Sequence, residues 1–343
     1  MPGSEDDDMS FHSLGCSDTS DCDSFCDAKD LADLVIDRFI HTKNNLNIIH
    51  INAQSIPAHF TDLLVTFTSP DVVDAILVSE TWLKPSLSST SYALPGYVLV
   101  RNDRTGCNGG GVAIYLRADL LYKVVSLSPS EYSGAPEYLF VEVVFSGSTC
   151  LVGVVYCPPS INYFSKLETV LEDIVALYSH HIIMGDFNTC LLSNQLANRS
   201  RAAKLLNITS SVNLSILSTD PTHHLQMSDT LLDLMLTSRP DLVTTHGQLV
   251  ASSFSHHDLL FASYKAKPSK YRPPTIFVRH FSRINTEELR GDVSGVDWVP
   301  LLDSNSIDTK VLIFNQEVLK IYDNHAPIRS TKIKRPPAPW IND

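Results

Sequence analysis

Short apolar runs that end abruptly in a carboxylate or an amide constrain this 343-residue sequence more than any other feature. In residues 180–188 an apolar stretch breaks at Gly185 and is followed by Asp186 and Asn188. Such a run is typical of a strand buried on both faces. Ligands bind at the carboxyl ends of strands in α/β sheets, so the pattern favours a site there. The alternative is a polar turn in which Asp186 only caps the next segment. If other predicted strands also end in acids, amides or histidines, a ligand site is favoured over a polar turn.

The same arrangement recurs at other predicted strands. Residues 46–53 carry Asn52 at their end, and residues 74–82 carry Glu80. Tyr156 ends another apolar run, where two prolines stop the strand. Polar groups therefore end several predicted strands on one edge: Asn52, Glu80, Tyr156, Asp186 with Asn188, Asp233 and His257.

The spacing of the predicted elements indicates an α/β fold. Strands occur in hairpin pairs, twice over, with few helices between them. This order predicts a four-layered α/β sandwich, with two packed, mixed and mostly antiparallel sheets flanked by helices. Helices are predicted over residues 30–42, 57–67, 164–178, 196–206 and 311–322.

The chain is predicted to have three parts. Residues 1–43 form an acidic, disordered leader plus a short helix. Residues 44–265 form the folded domain. Residues 266–343 form a basic and proline-rich linker with one helix.

Charge and composition restrict the class of protein. The net charge is −12, but residues 1–30 carry nine acidic residues against one lysine, and a basic stretch covers residues 265–283. No apolar run reaches the roughly 20 residues of a membrane span, and the acidic amino terminus does not suit a signal peptide. We therefore expect an intracellular protein with no membrane partner. The seven cysteines form no C-x-x-C pair, which favours free thiols over a zinc site or a disulfide framework.

The predicted strand-end residues suit one kind of chemistry. Two carboxylates and side-chain amides, without a cysteine, form a ligand set that suits a hard divalent cation. Mg²⁺ is the cation we expect, and Mn²⁺ is the alternative. A histidine near Asp233 can be kept cationic against a developing negative charge. A tyrosine hydroxyl can donate to a phosphate oxygen. Together these groups favour metal-assisted hydrolysis of a phosphodiester.

The ordered set of motifs resembles the endonuclease/exonuclease/phosphatase superfamily. More narrowly, it resembles the apurinic-type endonuclease domain of non-LTR, LINE-like retrotransposons. The resemblance covers roughly residues 44–265. The motifs are Asn52 with Ser55, Ser79-Glu80-Thr81, Arg101-Asn102-Asp103-Arg104 before Gly109-Gly110-Gly111, Tyr156 before Pro158-Pro159, Gly185-Asp186-Phe187-Asn188, Leu232-Asp233-Leu234 and Ser255 with His257.

The resemblance implies Mg²⁺-dependent nicking of double-stranded DNA. It implies that Glu80 binds the metal, with Asn52 beside it. Asp186 would position and activate the attacking water, and Asn188 would orient that water and the phosphate. The nick would leave a 3′-hydroxyl, which in relatives primes reverse transcription.

The remaining roles also follow from the resemblance. Tyr156 would contact the scissile phosphate, and Thr222 would support it. His257, oriented by Asp233, would stabilise the transition state. Six basic residues are predicted to bind nucleic acid, the last four because they lie in the basic stretch 265–283: Arg101, Arg104, Lys265, Lys267, Lys270 and Arg272.

The implied partners include a polymerase. The chain lacks a reverse transcriptase domain, and its ending resembles the linker before the polymerase in full-length elements, which suggests a truncated copy. A protein that acts on chromosomal DNA would be nuclear.

One position departs from the family pattern. The family has Ser-Asp-His where this chain has Ser255-His256-His257. The lost carboxylate would weaken a cation site nearby. Two alternatives therefore stand beside an active nuclease: a catalytically dead remnant that only binds nucleic acid or another protein, and a phosphatase of the same superfamily.

Overall fold

The structure, a computed structural model, describes residues 27–67, 72–145, 147–159, 161–193, 195–268 and 275–332. The chain divides into two compact units, Met1–Ser269 and Lys270–Asp343. Most of the predicted leader and the proline-rich ending lie outside the described residues. The division at 43 and 265 stays a prediction.

Helices of the first unit begin where the sequence provides caps. The Asp27 side chain accepts hydrogen bonds from two amides of the first helix, and Ser55 caps the second, which has proline in its first turn. These helices are α1 (Ala28–Phe39), α2 (Ile56–Thr66), α3 (Phe164–Val175) and α4 (Leu196–Ser211).

The strands of the first unit make two sheets and a small hairpin. The hairpin is formed by β10 and β11. In chain order the strands are β1 (Leu46–Asn52), β2 (Ala75–Ser79), β3 (Tyr97–Asn102), β4 (Val112–Arg117), β5 (Tyr122–Leu127), β6 (Glu137–Phe145), β7 (Ser148–Tyr156), β8 (His181–Asp186), β9 (Ser215–Leu217), β10 (His223–Leu225), β11 (Ser228–Thr230), β12 (Asp233–Thr237), β13 (Val243–Leu249) and β14 (Leu259–Tyr264).

Each sheet contains a parallel pair within an otherwise antiparallel order. One sheet has the order β13-β14-β1-β2-β4-β3, with β1 and β2 parallel. The other has the order β5-β6-β7-β8-β12-β9, with β7 and β8 parallel. Parallel strands need a crossover, which α2 and α3 provide. Both strands of each pair therefore end at the same edge, and the predicted mixed, mostly antiparallel topology is confirmed.

Three apolar clusters separate four layers. The central cluster joins the two sheets, for example Ile48 and Leu77 with Val154 and Met184. A second cluster packs α1 and α2 on the outer face of the first sheet. A third packs α3 and α4 on the outer face of the second sheet. The predicted four-layered sandwich is confirmed.

The second unit is mostly helical. Its strands pair with each other in an antiparallel ladder. Its elements are β15 (Thr275–Val278), α5 (Thr286–Ser294), α6 (Val299–Asp303), α7 (Ile307–His325) and β16 (Arg329–Lys332). The sequence predicted α7 as residues 311–322 and did not predict α5, α6, β15 or β16. Among the described helices, none combines the length and apolar character needed to cross a membrane.

Candidate functional site

The predicted strand ends converge at one edge shared by the two sheets. Asn52 pairs with Ser79 at the carboxyl ends of β1 and β2, and Glu80 follows directly. In the other sheet Tyr156 pairs with Asp186, and Asp186 pairs with Asp233. The crossover topology therefore brings together groups that are far apart in sequence.

Asn52 links the carboxylates of the two sheets. Its Nδ2 donates to Glu80 Oε1 at 3.4 Å and to Asp186 Oδ2 at 3.0 Å. A single amide nitrogen touches both, so Glu80 and Asp186 border the same small space despite their separation in sequence. Asp186 Oδ2 also accepts a hydrogen bond from Asn188 Nδ2 at 3.0 Å. The side-chain amides of Asn52 and Asn188 therefore both donate to the Asp186 carboxylate.

Asp186 is buried among other acids. Burial, together with the negative charges of Asp233 and Glu80, raises its pKa to about 7. The His257 cation and the backbone amide of Asn188 oppose this rise without cancelling it. A carboxyl with a pKa near neutrality is suited to accepting a proton at physiological pH.

Asp233 and His257 form a buried pair. His257 Nδ1 donates to Asp233 Oδ2 at 2.7 Å. Burial opposes protonation of His257, but the adjacent Asp233 raises the pKa of the imidazole to about 9. Burial would raise the pKa of Asp233, yet the His257 charge and hydrogen bond hold it below its ordinary value. His257 is therefore a cation at neutral pH.

Thr222 supports Asp233, and its predicted support of the scissile phosphate stays a prediction. Its hydroxyl donates to Asp233 Oδ2 at 2.8 Å and accepts from the Asp233 amide at 3.0 Å. The side chain is completely buried. Its hydrogen-bonding capacity is used inside the protein, so it acts on the His257 pair through Asp233.

His50 is a site neighbour that the sequence argument missed. It lies in β1, its Nε2 is 3.1 Å from Ser79 Oγ, and its Nδ1 is 3.9 Å from Asp233 Oδ1. Burial lowers its pKa to about 4, so it is neutral. A histidine inside an otherwise apolar strand was the available signal.

The donor set fits a divalent cation. Donor atoms of Asp186, Asp233 and His257 lie within 4.8 Å of one another. A protonated imidazole cannot ligate a metal, and His257 is cationic beside Asp233. The buried Asp233 Oδ1 has no hydrogen-bond partner, and the Glu80 and Asp186 carboxylates supply the hard oxygen ligands that Mg²⁺ prefers.

Tyr156 faces the acids and has a basic neighbour behind its ring. Burial raises the pKa of its hydroxyl well above the ordinary value, and the negative charges of Glu80 and Asp186 add to the rise. The Arg104 guanidinium lies 5.5 Å from the Tyr156 ring centroid and 4.6 Å from that of Tyr132. The phenol therefore stays protonated and can donate a hydrogen bond.

Arg104 is an internal residue, and its predicted contact with DNA stays a prediction. Its Nε donates to Glu137, and the exposed fractions of the two side chains are 8% and 10%. Glu137 also accepts a hydrogen bond from the Gly111 amide at 2.6 Å. At Gly110, which has φ +63°, a Cβ would overlap the guanidinium. The glycine-rich loop therefore packs directly on Arg104, as only glycine allows.

The other predicted basic contacts with DNA also stay predictions. Arg101 donates to the carbonyls of Lys84 and Leu87 and pairs with Asp103, so it too serves internal structure. Tyr264 pairs with Leu46, which places the exposed Lys265 and Lys267 at the opposite edge, about 20 Å along the strands from Asn52. This position does not support contact beside the site. Lys270 and Arg272 lie outside the described residues.

His256 lies at the rim. Its side chain is exposed, and its amide donates to Gln54 Oε1 at 3.4 Å. The Ser255 hydroxyl donates to the Asn52 carbonyl at 2.7 Å and accepts from the His257 amide. The His257 loop is thus fixed to the end of β1 by Ser255, independently of residue 256.

Backbone strain is concentrated at this edge. Among the described residues, six non-glycine residues have positive φ, and all but Asn213 lie in the loops that carry the site. Such conformations persist only where the surroundings enforce them. The five are Gln54, Ser55, Glu80, Trp82 and Asn188.

Comparisons with known proteins agree with this fold. A family model described as endonuclease-reverse transcriptase matches residues 150–261. Among solved structures, the endonuclease domain of TRAS1, a telomere-specific non-LTR retrotransposon, is 15% identical, with a TM-score of 0.52 over 65% of this chain and 99% of that chain. The Xenopus laevis APE2 catalytic domain is 18% identical, with a TM-score of 0.52 over 66% and 94%. No curated protein matches the chain.

The predicted resemblance to the endonuclease/exonuclease/phosphatase superfamily is confirmed. The two six-stranded sheets and flanking helices are the sandwich fold of these nucleases. The AP endonuclease LMAP from Leishmania major shares it as well, at 12% identity and a TM-score of 0.50 over 64% of this chain and 88% of that chain. The likeness to retrotransposon endonucleases rests on the family model and on the TRAS1 domain.

Proposed function

We propose that this protein is a divalent-metal-dependent endonuclease that nicks double-stranded DNA and leaves a 3′-hydroxyl. The observation that carries the proposal is the bridge from Asn52 to both Glu80 and Asp186, beside the cationic His257. This arrangement offers oxygen ligands, a proton acceptor and a fixed positive charge at one sheet edge.

Each group has a distinct part in phosphodiester hydrolysis. Asp186 accepts the proton of the attacking water, for which a pKa of about 7 is suited. His257, kept cationic by Asp233, stabilises the negative charge that develops on the phosphate. The protonated Tyr156 hydroxyl donates to a phosphate oxygen.

Glu80 and Asn52 would hold the cation, Mg²⁺ or Mn²⁺. When bound, the cation neutralises charge on the phosphate and its surroundings. Asn188 holds Asp186 through its side-chain amide at 3.0 Å and its backbone amide at 2.9 Å, which fixes the carboxylate orientation before substrate arrives.

The wider role extends the proposal to target-primed reverse transcription. A 3′-hydroxyl at the nick would serve as primer for a reverse transcriptase that acts with this protein. Such a protein would work on chromosomal DNA in the nucleus. The family model described as endonuclease-reverse transcriptase supports this extension.

A nicking assay on supercoiled plasmid tests the proposal. We expect conversion to the open circle with Mg²⁺, none with chelator, and none with Asp186→Ala. A DNA polymerase should extend the nick with labelled nucleotides, since extension requires a 3′-hydroxyl. Hydrolysis of a small phosphomonoester by a protein that leaves the plasmid intact would instead support the phosphatase.

A further inference from the structure

Trp82 is an exposed aromatic residue among buried neighbours at the site. Its side chain is 43% exposed, whereas Thr81 and Leu83 on either side are completely buried. It lies two residues after Glu80, on the loop that follows β2. A ring this exposed gains little free energy from core packing, so packing alone does not explain why a tryptophan lies here.

The indole is held in place by three features of its surroundings. Its backbone has φ +54°, a conformation that a bulky residue adopts only under constraint. Its amide donates to the Gly110 carbonyl at 2.9 Å. Its Nε1 donates to Glu80 Oε2 at 3.1 Å. The exposed ring is therefore anchored rather than free to rotate.

The hydrogen bond to Glu80 connects the exposed ring to the candidate metal ligand. Glu80 Oε1 accepts from Asn52, so the indole and the amide hold opposite oxygens of one carboxylate. A shift of the indole would turn the Glu80 carboxylate. The indole N–H therefore takes part in orienting the Glu80 carboxylate.

A fixed, exposed aromatic face is a surface on which nucleotides bind. Base–aromatic stacking is tolerant of sequence, because every base has a π face. The indole also has a polar group for orientation and an apolar body for contact. We propose that Trp82 packs its exposed indole face against a nucleotide of the bound DNA, while its N–H orients Glu80. This rests on the proposed endonuclease function.

A fluorescence experiment tests the contact without removing Trp82. The chain has two other tryptophans, Trp298 and Trp340. We would replace both with phenylalanine and add Asp186→Asn to prevent cleavage. A short DNA duplex should then quench and shift Trp82 emission at the concentration at which binding is seen by anisotropy of labelled DNA. Binding without any change in emission would overturn the proposal.

The same variant distinguishes base from sugar contact. In a series of duplexes that each lack one base, the change in emission should disappear for one of the duplexes if the ring packs on a base. The change should persist at every position if the ring packs on deoxyribose. Either result would mean that the indole face contacts a nucleotide.

Two substitutions of Trp82 separate its face from its N–H. Trp82→Phe keeps an aromatic face and loses the donor, so the Mg²⁺ needed for half-maximal nicking should rise about tenfold with KM for DNA unchanged. Trp82→Ala loses both, so KM for DNA should also rise about tenfold. Leu177→Ala, at a site with 69% exposure after α3, is the control and should behave as the parent.

Failure of this inference differs from failure of the proposed function. A parent protein that nicks DNA, with Trp82→Ala showing the same KM and Mg²⁺ dependence, would remove Trp82 from DNA binding and leave the nuclease intact. A parent protein that neither binds nor nicks DNA would remove the proposed function itself.

Discussion

Asp233 lies directly opposite Asp186 across the antiparallel pair β12 and β8, so two buried carboxylates face one space. Two adjacent carboxylates cannot both ionise at low cost. Here His257 and Thr222 stabilise the charge on Asp233, and Asp186 is left with the raised pKa. The environment thus gives the two aspartates different protonation behaviour. Asp233 stays ionised and holds His257, whereas Asp186 can accept a proton.

Replacing Asp186 by asparagine should separate stability from activity. Asp186→Asn removes a carboxylate whose charged form is disfavoured by burial. We expect the metal-free variant to be more stable than the parent at pH 8 by on the order of 1 kcal/mol. Its nicking rate should fall by about 10³-fold, because the proton acceptor is lost. Urea unfolding and the plasmid assay measure the two effects; a less stable variant would contradict the raised pKa.

The His257–Asp233 pair should make stability depend on pH in a defined window. The pKa of His257 is about 9 when folded and about 6.5 as the ordinary value, so the folded state holds its proton longer. The contribution, on the order of 2 kcal/mol, is complete below about pH 6.5 and is lost as the pH rises through about 9. Urea unfolding in chelator at pH 7.5 and 9.5 should show the loss, and Asp233→Asn should flatten it. Both measured pH values lie above the titration of Asp186, whose pKa is about 7.

The Arg104–Glu137 pair should support the site from inside. Glu137→Ala leaves a buried guanidinium unpaired, so unfolding free energy should fall by about 3–5 kcal/mol. The apolar pair Arg104→Met with Glu137→Leu should recover most of that stability and still nick poorly, because the glycine-rich loop and Tyr156 lose their support. As a control, Asp241→Ala breaks the exposed pair with Arg239 and should leave the free energy of unfolding almost unchanged, because solvent screens the pair.

The strand-end residues could be predicted because an apolar run and the polar residue that follows it are both visible in the local sequence. Asn52, Glu80 and Asp186 each follow an apolar run, and parallel strands joined by a helix end at the same edge. The apolar periodicity also predicted most helices of the first unit. The exposed edge strand β5 was missed, because Lys123 and Ser126 interrupt its apolar residues and leave no continuous apolar run.

Side-chain partners could not be predicted from local pattern. Arg104, in a polar loop, suggested a surface cation, but its partner Glu137 lies 33 residues away. The Pro-Thr turn did not reveal that Thr222 binds Asp233. Lys265 followed a strand, but the antiparallel pairing of β14 with β1 turned that end away from the site. Each of these relationships arises from tertiary pairing, which sequence spacing does not encode.

The last prediction concerns His256, where this chain departs from its relatives' Ser-Asp-His pattern. His256→Asp adds an anion beside His257, which favours both the imidazolium and a bound cation. The side chain is exposed, and a unit charge a few Å away through water is worth about 1 kcal/mol or less. We therefore expect the nicking rate to rise, and the required Mg²⁺ concentration to fall, by at most about fivefold.

His256→Asn provides the matched control, because it has the size of aspartate without its charge. Plasmid nicking across a Mg²⁺ titration should rank the three proteins with His256→Asp first and His256→Asn close to the parent. Raising the ionic strength should reduce the gain, since salt screens an exposed charge. Identical Mg²⁺ curves for all three would mean that Ser255 and Asp233 alone position His257, and that residue 256 is only a rim residue.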